Sequence, residues 1–447
     1  MHEELVCRIR NRMARICIVG LGYVGLPTAM YFAEAGFPVT GCDVKEQIVT
    51  HVRNGRSHLS DLGIDKRLRN VVKKGKFKAT TDTAKAVGGC DIVLITVPTP
   101  TGKGFEPDLQ YVVSAGEAAA EGLHRGHLMI LESTVYPGVT EDILKPLLEK
   151  SGLKAGRDFG LAYCPERYNP GDSKHTIDKV VRVIGAVDRN WARTTAELYD
   201  QITKTMIVEN IRTAEMAKII ENTQRDLNIA LMNEVALICE RMGIDVMGVI
   251  DAAATKWNFN VYYPGAGVGG HCLPKDPWYL VKAAERLGYH AQVVTAGRRV
   301  NDSMPHHVFE LLVRALNDSG RSMKGSRIVI LGLSYKENIG DIRNSPALGL
   351  IHEIKRMGGV VYTVDPYVLK RTAADEFPTD RHFDGLASVP KVVDALVLIT
   401  PHEVISERDI LEFAKKMRTP IIIDGRRRID KRKARQLGLI YKGIGDP

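Results

Sequence analysis

The stretch ARICIVGLGY, residues 14–23, returns near the other end of the chain as SRIVILGLSY, residues 326–335. The echo continues in order. DIVLITVP (91–98) is matched by DALVLITP (394–401), and Asp43 closes the strand-like run VTGCDV as Asp365 closes a later one. Three echoes in one order predict an internal duplication of an α/β unit. In each copy, short apolar runs alternate with helical segments, which predicts a doubly wound parallel sheet. At 447 residues the chain is also too long for one hydrophobic core, so two or three domains are expected.

The first copy carries Gly20-Leu21-Gly22-Tyr23-Val24-Gly25, a GxGxxG turn between a strand-like and a helix-like run, with Asp43 at the end of the next strand. Glycines at that spacing let backbone approach a pyrophosphate at a helix N-terminus, and the acid accepts the ribose hydroxyls. An acid there repels a 2′-phosphate, so NAD is favoured over NADP, with Lys45 close by as a counterweight. The second copy keeps one glycine in GLSYKENIG and puts Ser334 and Lys336 where the others would be. It reads as a degenerate nucleotide domain in which a lysine charge replaces bare backbone.

Between the copies, residues 213–242 form one long run free of glycine and proline, predicted as a single helix that separates the sheets or makes a dimer. Lys218, Asn222, Arg225 and Asn233 fall along one face of it, opposed by Ile220, Leu227, Leu231 and Val235. A solvated stripe and directed hydrogen bonding explain the polar face equally well. A second helical run follows the DP at 276–277 and continues to Leu287. The expected fold is thus two Rossmann-like doubly wound parallel-sheet domains joined by a helical central domain. The expected bounds are 1–205, 206–318 and 319–447.

PGAGVGGHCLPKDPWYL (264–280) crowds Gly265, Gly267, Gly269 and Gly270 ahead of Cys272. Asp276 is a plausible N-cap, Pro277 suits a first helical position, and Lys275 supplies a cation, all of which stabilise a thiolate. The glycines would admit a ligand and offer backbone donors to an oxyanion. A structural turn and a reactive site remain equal readings of this loop. The other cysteines are scattered, with no CxxC pair, so neither a disulfide framework nor a zinc site is expected. Cys17, Cys90 and Cys239 sit in apolar runs and are expected in the core.

The formal charge is +9, but the basic residues are dispersed apart from GRRRIDKRKARQ. No basic stretch is interleaved with aromatics as an RNA-binding signature would be, and a small anionic ligand accounts for the surplus as well as nucleic acid does, so the charge alone decides nothing. No apolar run reaches the length of a membrane span and no signal peptide is evident, so a cytoplasmic protein is expected.

Taken together, GLGYVGLP, VPTP, EST, CPERYNPG, AKIIENTQRDLNIALMNE, GVGGHCLPKDP, GLSYKENIGDIRNSPAL and DGR resemble the UDP-glucose/GDP-mannose dehydrogenase family over essentially the whole chain. The resemblance implies oxidation of C6 of a nucleotide sugar from alcohol to carboxylate with NAD, by a homodimer or larger homo-oligomer. It implies Cys272 as the nucleophile, through a thiohemiacetal and a thioester. Lys218 and Asn222 would stabilise charge on the C6 oxygen. Asp276 and Thr134 would position water, with Glu166 as acid/base in hydrolysis. Tyr23, Val24, Asp43, Thr99, Thr134, Lys275 and Arg343 match positions that hold NAD. Arg167, Tyr168, Arg225, Tyr335, Lys336 and Arg426 match positions around the sugar nucleotide, together with Lys218 and Asn222. The form GGHC looks like the branch acting on UDP-N-acetylhexosamines. TKWNFN and AGRRVND look closer to glucosamine enzymes, while CPER and ENTQRDLNIA also occur in mannosamine ones, which often carry an arginine near Asn258. UDP-glucose is the alternative substrate, and a non-catalytic NAD and nucleotide-sugar sensor is the alternative of another class.

Overall fold

A computed structural model describes residues 1–59, 63–167 and 175–447. The chain forms two compact units, Met1–Glu221 with Trp278–Tyr289, and Asn222–Pro277 with His290–Pro447. The segment expected as a central domain, 206–318, is divided between them.

In the first unit lie β1 (Ile16–Val19), β2 (Val39–Cys42), β3 (Phe77–Thr80), β4 (Ile92–Ile95), β5 (Leu128–Leu131), β6 (Gly160–Tyr163), β7 (Arg182–Ala186) and β8 (Thr205–Ile207). They make one sheet in the order β3-β2-β1-β4-β5-β6-β7-β8, parallel except for the antiparallel β6–β7 pair. Ile16 and Ile18 face one apolar core and Cys17 and Val19 the other, as strand periodicity requires of a sheet covered on both sides. Helix α1 (Gly25–Glu34) follows β1 directly, and α2 (Arg189–Tyr199) follows β7.

The helix α3 (Ile211–Met242) and the shorter α4 (Asp276–Arg286) each run from one unit into the other. Helix α5 (Gln292–Asp318) belongs to the second unit. There β9 (Arg327–Leu331), β10 (Val360–Val364), β11 (Arg381–Phe383), β12 (Ala395–Leu398), β13 (Ile421–Asp424) and β14 (Ile440–Gly443) form an all-parallel sheet, ordered β11-β10-β9-β12-β13-β14. That order repeats the first six strands of the other sheet, as the sequence echoes predict. Ile328 and Ile330 again face one core, and Val329 and Leu331 the other. Among the described residues no helix is long and apolar enough to cross a membrane.

Helix α3 corrects the expectation about its faces. The buried residues include the polar Glu215, Lys218, Thr223, Asp226 and Asn233, whereas Ile220 and Leu231 stand about half exposed. Glu215 accepts from Gly138 and Thr140, and Asp226 and Asn233 can be buried because α5 answers them. Arg298 donates to Asp226 at 2.5 Å, Asn301 donates to the same carboxylate at 2.9 Å, and Asn233 donates to Asn301 at 2.8 Å. Cys17, Cys90 and Cys239 are core residues, as expected.

Candidate active site

The turn after β1 is built for close approach. Gly20 has φ +96°, a conformation that favours glycine, and the Thr96 hydroxyl donates to its carbonyl at 2.7 Å. A Cβ on Gly25 would lie 1.8 Å from the Gly20 carbonyl oxygen, so this glycine packs the helix onto the strand. A Cβ on Gly22 would meet nothing within 4 Å. The space beside Gly22 at the start of α1, which Val24 opens as N-cap, is therefore left for something other than protein. Asp43 is half-buried; its Oδ2 accepts from Leu21 N–H and its Oδ1 from Lys45 N–H, each at 3.0 Å. Those bonds fix the carboxylate at the edge of the cradle. A pyrophosphate and a ribose fit these residues. Thr99 and Thr134 are joined by a 2.7 Å bond from the Thr99 hydroxyl to the Thr134 carbonyl, and the Tyr279 hydroxyl donates to the Thr99 carbonyl.

Also in the first unit, Glu166 is buried and accepts from Arg182 at 2.5 Å. Arg167 pairs with Glu221 at 2.8 Å and donates to the Val181 carbonyl at 2.7 Å. Lys218 is buried on α3, one turn before Asn222. Tyr168 lies outside the described residues.

The second unit holds Cys272, partly exposed, just ahead of α4. Its carbonyl accepts from Lys275 N–H (3.0 Å) and Asp276 N–H (2.8 Å), which closes the turn into the helix. The helix takes Asp276 as its first residue, one position earlier than expected. Asp276 is fully buried; its Oδ2 accepts from Asn222 at 2.6 Å, while Oδ1 has no hydrogen-bond partner. Lys275 Nζ lies 3.7 Å from Oδ1 as an ion pair, which leaves this buried oxygen room to accept from water or substrate. His271 is held neutral, its pKa pushed down to about 3 by burial and by the cations Lys275 and Arg343. It therefore adds no positive charge beside the thiol.

The glycines of this loop answer to protein neighbours, which corrects the expectation that they admit a ligand. A Cβ on Gly269 would lie 2.6 Å from Tyr335, one on Gly270 would lie 2.8 Å from the Tyr335 ring, and one on Gly265 would lie 2.8 Å from Arg426. Nor do Gly265 and Gly270 offer oxyanion donors, because their N–H groups already bond Asn233 Oδ1 (2.8 Å) and the Arg343 carbonyl (2.9 Å). Their smallness brings Tyr335 and Arg426 against the cysteine loop.

Arg426 donates Nε–H to the Ile399 carbonyl at 3.0 Å, and among the described residues no carboxylate forms an ion pair with it. Burial pushes its pKa down, only partly offset by Glu337 and Asp424. A desolvated, uncompensated guanidinium is suited to an anion. Tyr335 is pushed up by burial and feels the charges of Asp341, Arg343, Cys272 and Arg225. Lys336 follows Tyr335 in the same turn and is half-buried, and Arg225 is exposed on α3. Lys275 and Arg343 stand with Cys272 in this unit, and the Arg343 guanidinium forks onto Asp341.

Residues 14–203, 212–303 and 329–431 match in turn the NAD binding, central and UDP binding domains of the UDP-glucose/GDP-mannose dehydrogenase family. The chain belongs to this family. It is an NAD-dependent oxidoreductase with a domain for a UDP-sugar. The chain is 39% identical over 433 residues to the UDP-N-acetyl-D-mannosamine dehydrogenase of Pyrococcus horikoshii, covering 96% of this chain and 99% of that one. It is 37% identical over 411 residues to the UDP-N-acetyl-D-glucosamine 6-dehydrogenase of Salmonella typhi, covering 90% and 93%. The solved structure of the UDP-D-ManNAc dehydrogenase from Pyrococcus horikoshii superposes with a TM-score of 0.89 at 38% identity, over 97% of this chain and 99% of that one.

Within the family frame, several supporting residues escape a reading by motif. Arg182 pairs with Glu166 and reaches Glu132, which in turn accepts from Tyr199, and no spacing rule connects these residues. Arg298 and Asn301, three residues apart on α5, carry a weak signal, since a buried helix face seldom holds two such polar residues without a partner.

Proposed function

We propose that the chain oxidises C6 of a UDP-N-acetylhexosamine, with the N-acetylmannosamine or N-acetylglucosamine sugar, to the uronic acid. The observation that carries this reading is Cys272 at the start of α4, beside the buried Lys275, the open oxygen of Asp276 and the neutral His271. The names of the relatives support the acetylated sugars over UDP-glucose.

Bound NAD would accept the hydride at each of two oxidations. Gly20, Gly22, Gly25 and Tyr23 would seat its phosphates and Asp43 its ribose, with Thr99, Thr134, Lys275 and Arg343 completing the contacts. Lys218 and Asn222 stabilise negative charge on the C6 oxygen as the alcohol loses hydride and proton. The Cys272 thiolate adds to the aldehyde carbon and gives a thiohemiacetal. Loss of a second hydride and a proton leaves a thioester. Water, held by Asp276 and Thr134, gives its proton to Glu166 and its hydroxyl to the thioester carbon. The carbon–sulfur bond then breaks, releasing the thiolate and the carboxylic acid, which loses its remaining proton to solvent as the carboxylate. Arg426 and Lys336 suit the pyrophosphate of the sugar nucleotide, with Arg167, Tyr168, Arg225 and Tyr335 around the rest.

The same proposal includes a homodimer built on α3, whose Leu231, Ile238 and Met242 stand exposed. It also includes a cytoplasmic setting, where NAD and nucleotide sugars are both available. Comparing kcat/KM for UDP-N-acetylmannosamine, UDP-N-acetylglucosamine and UDP-glucose tests the substrate. One acetylated sugar should lead by at least about tenfold. Preference for UDP-glucose would overturn the assignment, and binding of NAD and sugar without turnover would favour a sensor.

A further inference from the structure

Glu166 is one end of a buried chain of charges. Its Oε2 accepts from Arg182 Nη2 at 2.5 Å, and Arg182 Nη1 donates to the Pro165 carbonyl at 2.9 Å, which fixes the backbone that carries Glu166. The same guanidinium lies 3.8 Å from Glu132 Oε1, just beyond the end of β5. Arg182 and Glu132 have essentially no exposed surface. Glu132 Oε1 accepts the Tyr199 hydroxyl from α2. Thr28 of α1 faces the same carboxylate, although neither its hydroxyl nor Glu132 Oε2 completes a hydrogen bond. Cys164, next to β6, completes the surroundings and is pushed well up by burial, so it stays a neutral thiol. Tyr199 is likewise pushed up by burial and stays a neutral donor.

One cation is thus shared by two buried carboxylates, of which Glu132 is fully enclosed while Glu166 keeps a small exposed edge. Resting on the role proposed above for Glu166, we propose that Arg182 and Glu132 are positioning residues of thioester hydrolysis, and that the charge on Glu132 sets the strength of Glu166 as a base through the shared guanidinium. The directions follow from the surroundings. Burial pushes Glu132 up to about 7, against the pull of Arg182 and with the push of Glu166. Below that pH Glu132 is neutral, and the charge of Arg182 falls on Glu166 alone, which weakens it as a base. Above it, ionised Glu132 takes a share of the guanidinium, and Glu166 draws a proton from water more strongly. Hydrolysis should therefore speed up as pH rises through neutrality.

The test uses the whole enzyme with NAD and whichever of UDP-N-acetylmannosamine and UDP-N-acetylglucosamine turns over faster. Rapid quench and mass spectrometry follow the acyl group on Cys272, while NADH reports the oxidations. Hydrolysis in the unmodified enzyme should rise about fivefold between roughly pH 6 and pH 8. Glu132→Gln should flatten that rise and let the acyl-enzyme accumulate above neutral pH, with KM and Tm unchanged. Tyr199→Phe, which removes a donor to ionised Glu132, should move the midpoint to higher pH and keeps the test alive if the Glu132 variant fails to fold. A Glu132→Gln enzyme with the original midpoint, or one slowed equally at every step with a lower Tm, would overturn the proposal. Glu166→Gln separates the two readings. Undiminished hydrolysis there overturns the role of Glu166, whereas slowed hydrolysis beside an unaltered Glu132→Gln profile overturns only the relay.

Discussion

The turns after β1 and β9 are the same structural event carried out twice, and they treat a ligand oppositely. Both begin with a glycine at positive φ, +96° at Gly20 and +92° at Gly332, and both lie against a threonine after the central strand of their sheet, Thr96 and Thr400. Around Gly22 the first turn leaves open space, and Asp43 sits half-buried at its rim. The second turn fills itself. Asp365 is fully buried and accepts from Leu333 N–H, Ser334 N–H and Oγ–H, Tyr367 N–H and the His402 ring. Four of these bonds fall on Oδ2 and one on Oδ1, so the buried carboxylate is spent on the protein and not offered to a ribose. The lesson is that duplication preserved the strand order and the strand-end aspartate, while the chemistry moved to the rim. There Tyr335 presses on the cysteine loop, and Arg426 forms no ion pair among the described residues.

Substitutions that separate the turns from the chemistry break this contrast most sharply. Cys272→Ser leaves both turns untouched, and net turnover should fall by about a thousandfold or more, with NAD binding and Tm preserved. A fall in NAD affinity of similar size would mean that the cysteine loop organises the first turn. One glycine from each turn comes next. Gly332→Ala forces a Cβ to within 2.4 Å of the Thr400 carbonyl oxygen at an unfavourable φ. It should cost about 2–4 kcal/mol in urea denaturation. Gly22→Ala meets no protein atom. It should leave stability unchanged within about 1 kcal/mol while raising KM for NAD about tenfold. Equal stability losses at the two positions would erase the distinction.

Much of this contrast was legible in sequence, and the remainder shows where legibility stops. The strands around Ile16 and Ile328 announce themselves because buried parallel strands are local apolar runs. The open turn is legible in its glycine spacing, since close backbone approach is itself a local requirement. The polar face of α3 was visible as a pattern, but its burial was not, because Asp226 and Asn233 find their partners far along the chain, in Arg298 and Asn301 of α5 and in the Gly265 N–H. In the same way the glycines before Cys272 suggested room for a ligand. Their reason is Tyr335, far along the chain, and a pattern of residues does not name such a partner.

Smaller effects sharpen the comparison of the two aspartates. Asp365→Asn places an amide among donors and should cost about 2–4 kcal/mol, whereas Asp43→Asn should cost little stability but weaken NAD about tenfold and relax discrimination against NADP. Their pH behaviour should differ too. Burial alone would push Asp365 up, but His402 and the backbone donors outweigh it and hold the acid below its ordinary range. Its stabilising contribution is therefore complete above the unfolded value near 4 and is lost as pH falls through the lower folded value. Urea denaturation repeated down to about pH 3 should show that loss in the unmodified protein and a shallower one in Asp365→Asn. Smallest of all, Arg426→Lys should raise KM for the sugar nucleotide about threefold to tenfold and leave KM for NAD as it was, since a point charge replaces a planar fork.

The central claim, that Cys272 carries one sugar through two oxidations, is tested most directly by counting NADH per sugar nucleotide. With limiting UDP-N-acetylmannosamine or UDP-N-acetylglucosamine taken to completion, the account predicts two NADH and one carboxylate for each sugar consumed, with no free aldehyde. One NADH and a released aldehyde would contradict it.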